Sequence, residues 1–172
     1  MPNIGEGNLI FRFPDDWLAC RPDKWAYHRN SFQSICGGAK AVDILAITPR
    51  HCLWLVEVKD YREHRRTKTI ELADEVARKV RDSLAALLCA HMSPDEEEEK
   101  TFAGSALASA SLRVALHLEQ PRKRSKLFPR AIDPASVKQK LRQLIRPVDS
   151  HPLVIEIGRM QNVEWEATSR NP

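Results

Sequence analysis

The stretch AVDILAITPRHCLWLVEVKDYR, residues 41–62, decides the fold. It holds two apolar runs, AVDILAI (41–47) and CLWLVEVK (52–59), rich in strand-forming residues and separated by the turn signal of Thr48, Pro49, Arg50 and His51. Yet Asp43 interrupts the first run and Glu57 and Lys59 close the second, and charged side chains are costly to bury without partners. A hairpin resolves the difficulty. Side chains on a strand alternate faces, so Glu57 and Lys59 point one way and Val58 the other. A five-residue loop, 48–52, sets residue 47 opposite 53 and so carries Asp43 opposite Glu57, with Cβ atoms roughly 4.5–5.5 Å apart. A four-residue loop moves Asp43 to the other face, and the sequence does not choose between the two registers.

In the first register two carboxylates meet beside one lysine. Such a pair repels unless a cation lies between its members. A hard divalent ion, Mg2+ or Mn2+, held by one or two carboxylates and several waters, suits that gap, and the Val58 carbonyl can add a neutral ligand. The plainer alternative is an ion pair in which Lys59 alone neutralises one acid.

Outward from the hairpin the pattern is mixed. NLIFRFP (8–14) reads as a short strand, and the Trp-rich stretch that follows as one or two short helical turns. From about Thr69, Leu72, Val76, Val80, Leu84 and Leu87 recur at helical spacing. A second helix is expected from Pro94 to about Ser109, where acids 95–99 suit the helix start. SLRVALHLE (111–119) reads as a strand, and Asp133 and Pro134 cap a helix with Val137, Leu141, Leu144 and Ile145 on its apolar face. A last strand, PLVIEIG (152–158), precedes a polar tail expected to be frayed. These elements describe a mixed sheet covered by helices, in one domain over residues 1–172.

With 42% apolar and 29% charged residues, the chain has the balance of a soluble globular protein, which excludes a disordered or membrane-embedded class. No run reaches the roughly 18–20 apolar residues of a membrane span, and MPNIGEGN lacks the marks of a signal peptide, so a cytoplasmic location without membrane contact is expected. Cys20, Cys36, Cys52 and Cys89 lack metal-ligand spacing and read as free thiols. The net charge of +4 favours a polyanionic partner. Basic residues crowd segments 62–68, 121–126 and 136–146.

At Asp43, Glu57 and Lys59 the chain resembles the PD-(D/E)XK nuclease superfamily, which includes many restriction endonucleases and Holliday-junction resolvases. Gly37, Gly38 and Lys40 ahead of Asp43 resemble the glycine-containing approach of resolvase-like members. The likeness covers residues 36–62 most specifically; Val42 stands where the superfamily name has proline, and no Q-x-x-x-Y signature follows Lys59. It implies a restriction-endonuclease-like α/β fold, an αβββαβ-type core with a C-terminal helix and strand added. It also implies a metal-dependent nuclease. Asp43 and Glu57 would hold Mg2+ and Lys59 would orient the attacking water. An acid from the N-terminal region is expected among Asp15, Asp16 and Asp23, with Glu6 the poorer candidate.

The expected partner is nucleic acid, DNA first, held at its phosphates by Lys40, Arg62, Arg65, Arg66, Lys68, Arg122, Lys123 and Arg124. A homodimer or partner subunit would help to choose the target. The expected role is endonucleolytic cleavage in repair, recombination or defence; the alternatives are an RNA-cleaving member and a non-catalytic binding scaffold.

Overall fold

The computed structural model describes residues 1–93, 95–121 and 132–170. Two sheets share the chain. The larger has five strands in the order β3 (Leu18–Cys20), β4 (Ile44–Ile47), β5 (Cys52–Asp60), β6 (Ser111–Glu119) and β7 (Leu153–Ile155). β4 runs antiparallel to both of its neighbours, β3 and β5, whereas β5, β6 and β7 run parallel. The parallel steps need crossovers. Helices α2 (Leu72–Met92) and α3 (Glu97–Leu107) make the first, and α4 (Pro134–Ile145) lies within the second. This is an α/β protein with mixed sheets flanked by helices.

Alternation along β5 sorts the core. Leu53 and Leu55 face the helices with Leu45, Val76, Val80, Leu87, Val114 and Leu116. Trp54, Val56 and Val58 face the opposite way, against Phe11, Phe13, Trp17 and Trp165. Both faces of the central strand are therefore covered, as its continuous apolar run requires. The second cover is not helical. It is a small antiparallel sheet in the order β1 (Asn3–Glu6), β2 (Leu9–Arg12) and β8 (Glu166–Ser169).

Several expectations change here. The opening strand is a hairpin, turned at Gly7 with φ 54° and Asn8. The Trp-rich stretch holds β3 as well as the short helix α1 (Ala26–Asn30). The tail is tied down, because β8 pairs with β2 from Leu9–Ser169 to Arg12–Glu166. α3 begins at Glu97 rather than near residue 94, which lies outside the described residues. Its buried Glu99 accepts from the Ala26 and Tyr27 N–H groups at 2.5 and 3.1 Å, capping α1 from a distance. The cap of α4 is as expected: Asp133 accepts from the Ala135 and Ser136 N–H groups.

The four cysteines form no disulfide. No helix of the described residues is long and apolar enough to cross a membrane.

Candidate functional site

The hairpin takes the five-residue loop. Ile47 pairs with Leu53 and Ile44 with Val56, so Asp43, one residue before β4, stands across from Glu57. The turn explains the choice. The His51 N–H donates to the Thr48 carbonyl at 3.0 Å, the Thr48 N–H to the Cys52 carbonyl at 3.0 Å, and the Cys52 N–H to Thr48 Oγ1 at 3.1 Å. His51 takes φ 54°, the left-handed conformation that lets a type I turn absorb an extra residue. Asp43 Oδ2 then accepts from the Val58 N–H at 2.7 Å. Val58 thus contributes its N–H here.

α2 completes the site with residues that the hairpin alone does not reveal. Glu75, Lys79 and Ser83 recur every four residues along the flank of its buried stripe and project toward the end of β5. Lys79 Nζ lies 2.7 Å from Glu57 Oε1 and 3.3 Å from Asp43 Oδ1, bridging the two acids. Lys59 Nζ lies 2.6 Å from Glu57 Oε1 and 3.2 Å from Glu75 Oε1. Glu75 also meets Lys68 at 2.5 Å and Arg66 at 2.8 Å. Ser83 holds the parts in register: its hydroxyl donates to the Lys79 carbonyl at 2.7 Å and accepts from the Val42 N–H at 2.8 Å. The signal for this group is the run of polar residues beside Leu72, Val76 and Val80, at the border of the core face.

Burial shapes the charges. Glu57 is completely buried, and that burial, then the facing Asp43, pushes its carboxyl up to about 7 despite two ammonium neighbours. Burial works against the Lys59 and Lys79 ammonium groups, but Glu57 and Asp43 outweigh it and hold both above the ordinary lysine range. Burial likewise pushes Glu75 up, yet Lys68 and Lys59 prevail and hold its carboxyl down at about 2.

A pH dependence follows from Glu75. Because the folded-state value lies below the ordinary 4.5, the stability it contributes is present above that pH and disappears as pH falls through about 2. Glu75→Gln should therefore be less stable than wild type at neutral pH, with the gap closing between pH 4.5 and 2 in urea titrations. A gap that stays constant across that range would show that the carboxylate charge is not what stabilises.

Of the expected N-terminal acids, Glu6 is the one whose electrostatic neighbourhood includes Asp43: burial and then Asp43 raise its pKa, and Arg21 lies 2.6 Å away. Asp23 pairs with Arg21 at 2.9 Å, and Asp15 lies against the N-terminal amine. Asp16 is exposed. Among the expected phosphate contacts, Arg62 forms a fork on Asp60 at 2.6 and 2.9 Å, and Arg66 and Lys68 are held by Glu75. Lys40 and Arg65 are exposed. Arg122, Lys123 and Arg124 lie outside the described residues.

The residues in place do not gather a metal-ligand set. Lys79 already bridges the acids between which an ion would sit, and among the described residues no group of three or more histidine, cysteine, aspartate or glutamate side chains is placed to hold one. What the cluster does hold is a buried carboxyl that titrates near neutrality between two ammonium groups, an arrangement able to keep or release a proton and to fix β5 against α2.

No protein-family profile matches the chain, and no solved structure does. The chain is similar to part of a cysteine–tRNA ligase from Neisseria meningitidis serogroup A, 29% identical over an alignment of 211 residues that takes in 98% of this chain. It spans 30% of the length of that ligase. This match corrects the expected function. The relative is a ligase, so metal-dependent phosphodiester hydrolysis, and with it the description of the chain as a nuclease, endonuclease or hydrolase, does not stand. The geometry supplies a physical reason why the motif misled: two acids and a lysine on a hairpin can be completed by a second lysine from a helix.

Proposed function

We propose that this chain has an aminoacyl-tRNA synthetase-related function and serves as a module that binds transfer RNA. The observation that carries this reading is the end-to-end match, 98% of the chain, to a segment of an enzyme whose name specifies tRNA. The positive net charge supports it, since counterion release from phosphates favours basic surfaces. In this reading the ligation chemistry belongs to the remainder of the ligase or to a partner subunit, and this domain contributes binding. The Asp43–Glu57–Lys59–Lys79 cluster contributes rigidity, by tying the hairpin to α2. The order of strands and helices around the hairpin supports a restriction-endonuclease-like arrangement of the core, put here to a different use. Mg2+ enters as a counterion of folded RNA.

The test is equilibrium binding of the chain to a tRNA transcript and to duplex DNA with the same number of phosphates, at matched salt. Preference for the tRNA by tenfold or more is expected. Equal affinity for both, or binding of neither, would overturn the reading.

A further inference from the structure

We infer that the outer flank of α4 is the surface that receives the RNA backbone, through Lys138, Arg142 and Arg146. This rests on the tRNA-binding reading and locates it. Most other cations near the hairpin are already engaged. Arg62 is held by Asp60, Arg66 and Lys68 by Glu75, Lys59 and Lys79 by Glu57, and Lys140 by Asp74 at 2.7 Å and by Glu71. A phosphate reaching any of these would have to displace a carboxylate.

Lys138, Arg142 and Arg146 differ from that set. All three are exposed, and none makes an ion pair or hydrogen bond with the described residues. They are spaced four apart, so they form a stripe with a cation about every 6 Å along the helix, close to the spacing of successive phosphates on one strand. At 100° per residue the stripe falls on the side of the buried Leu141 and Ile145 opposite Lys140, the residue that faces the start of α2. No acid interrupts it: PASVKQKLRQLI contains none, and Asp133 is occupied in capping the first turn. Gln139 and Gln143, both exposed, put amide donors beside the cations. The helix dipole accounts for cations in the last turn, Arg142 and Arg146, but not for Lys138 in the second. Contacts of this kind position a backbone and carry no base sequence.

The test uses the full chain, a tRNA transcript and a triple variant, Lys138→Gln, Arg142→Gln, Arg146→Gln, with a control, Arg29→Gln, Arg50→Gln, that removes exposed charge elsewhere. Thermal melts confirm that each variant is folded, and Arg142→Gln alone is the fallback if the triple variant is not. The triple variant is expected to lose at least tenfold in affinity at about 100 mM salt and to flatten the plot of log affinity against log salt by about 2–3 units, while the control changes little. Wild-type affinity and slope in a folded triple variant would overturn this inference and leave the tRNA reading standing. An equal loss in the control would overturn it too, by showing that only net charge matters. Displacement of the tRNA from α4 by polyglutamate at lower concentration than by competing RNA would assign the stripe to an acidic protein instead. A wild-type chain that binds no tRNA overturns the reading and the inference together.

Discussion

Replacing Lys79 with methionine is expected to cost the fold about 3–5 kcal/mol, the scale for removing one partner from a buried ion pair. Methionine keeps the length and flexibility of the lysine stem, so the loss is electrostatic rather than a matter of packing. Lys79 is the bridge between Glu57 and Asp43, at 2.7 and 3.3 Å, and without it Lys59 is left beside the two facing acids. Urea unfolding measures the cost. Mg2+ sharpens the test: a divalent ion that binds the folded variant between the two acids should raise its midpoint, and the wild type, whose gap is filled, should not respond. A variant that unfolds like wild type, with or without Mg2+, would remove Lys79 from the account of the site. Glu57 gives a further sign. A carboxyl raised to about 7 binds its proton more tightly in the folded state, so its contribution to stability declines as pH climbs from the ordinary range through about 7. The decline should extend to higher pH in Lys79→Met, where ionised Glu57 has lost a partner.

Trp165→Ala should cost about as much, roughly 3–5 kcal/mol for a buried aromatic truncated to alanine. The Trp165 ring is 2% exposed and lies 4.8 Å from Trp54, 5.7 Å from Phe13 and 6.1 Å from Trp17, centroid to centroid. It therefore joins the small sheet, through the segment leading into β8, to the face of the large one. Trp165→Phe should cost distinctly less. Its ring refills much of the space, and it removes an indole N–H that finds no acceptor among the described residues. A single shifted transition is expected, with all probes coincident. If the small sheet melted separately while the main transition stayed in place, the two sheets would be independent units.

The central pairing was legible because two strand-like apolar runs flank a short turn signal, the pattern of a hairpin. Asp43, Glu57 and Lys59 could be placed by alternation together with the loop length, and the remaining choice between registers was made by the left-handed His51. The helical members of the site were not legible in the same way. Glu75 and Lys79 sit where an amphipathic helix passes from core to surface, and a charged residue there ordinarily reads as solvated. Only the packing of α2 over the end of β5 turns them inward. The small sheet escaped for a different reason. Its strands have four residues each, EATS carries little apolar pattern, and the pairing that stabilises it comes from the opposite end of the chain. Function was the least legible. The hairpin motif specified which side chains meet, but Lys79, invisible to the motif, changes what that meeting can hold.

The pairing of β2 with β8 also bears on how the molecule reaches its folded state. Leu9 lies opposite Ser169 and Arg12 opposite Glu166, so this ladder closes a loop of nearly the whole chain. Closure entropy grows with the logarithm of loop length, and contacts of such sequence separation slow folding. The β4–β5 hairpin and the β5–α2–α3–β6 unit close far shorter loops and can assemble first. Until residues 166–169 arrive, Phe11 and Phe13 hold only part of their eventual cover, and one face of the central sheet lacks the packing of Trp165 and Ala167. On a ribosome that interval lasts until residues 166–169 have left the exit tunnel, so β2 waits for its second partner strand while the intervening residues are made.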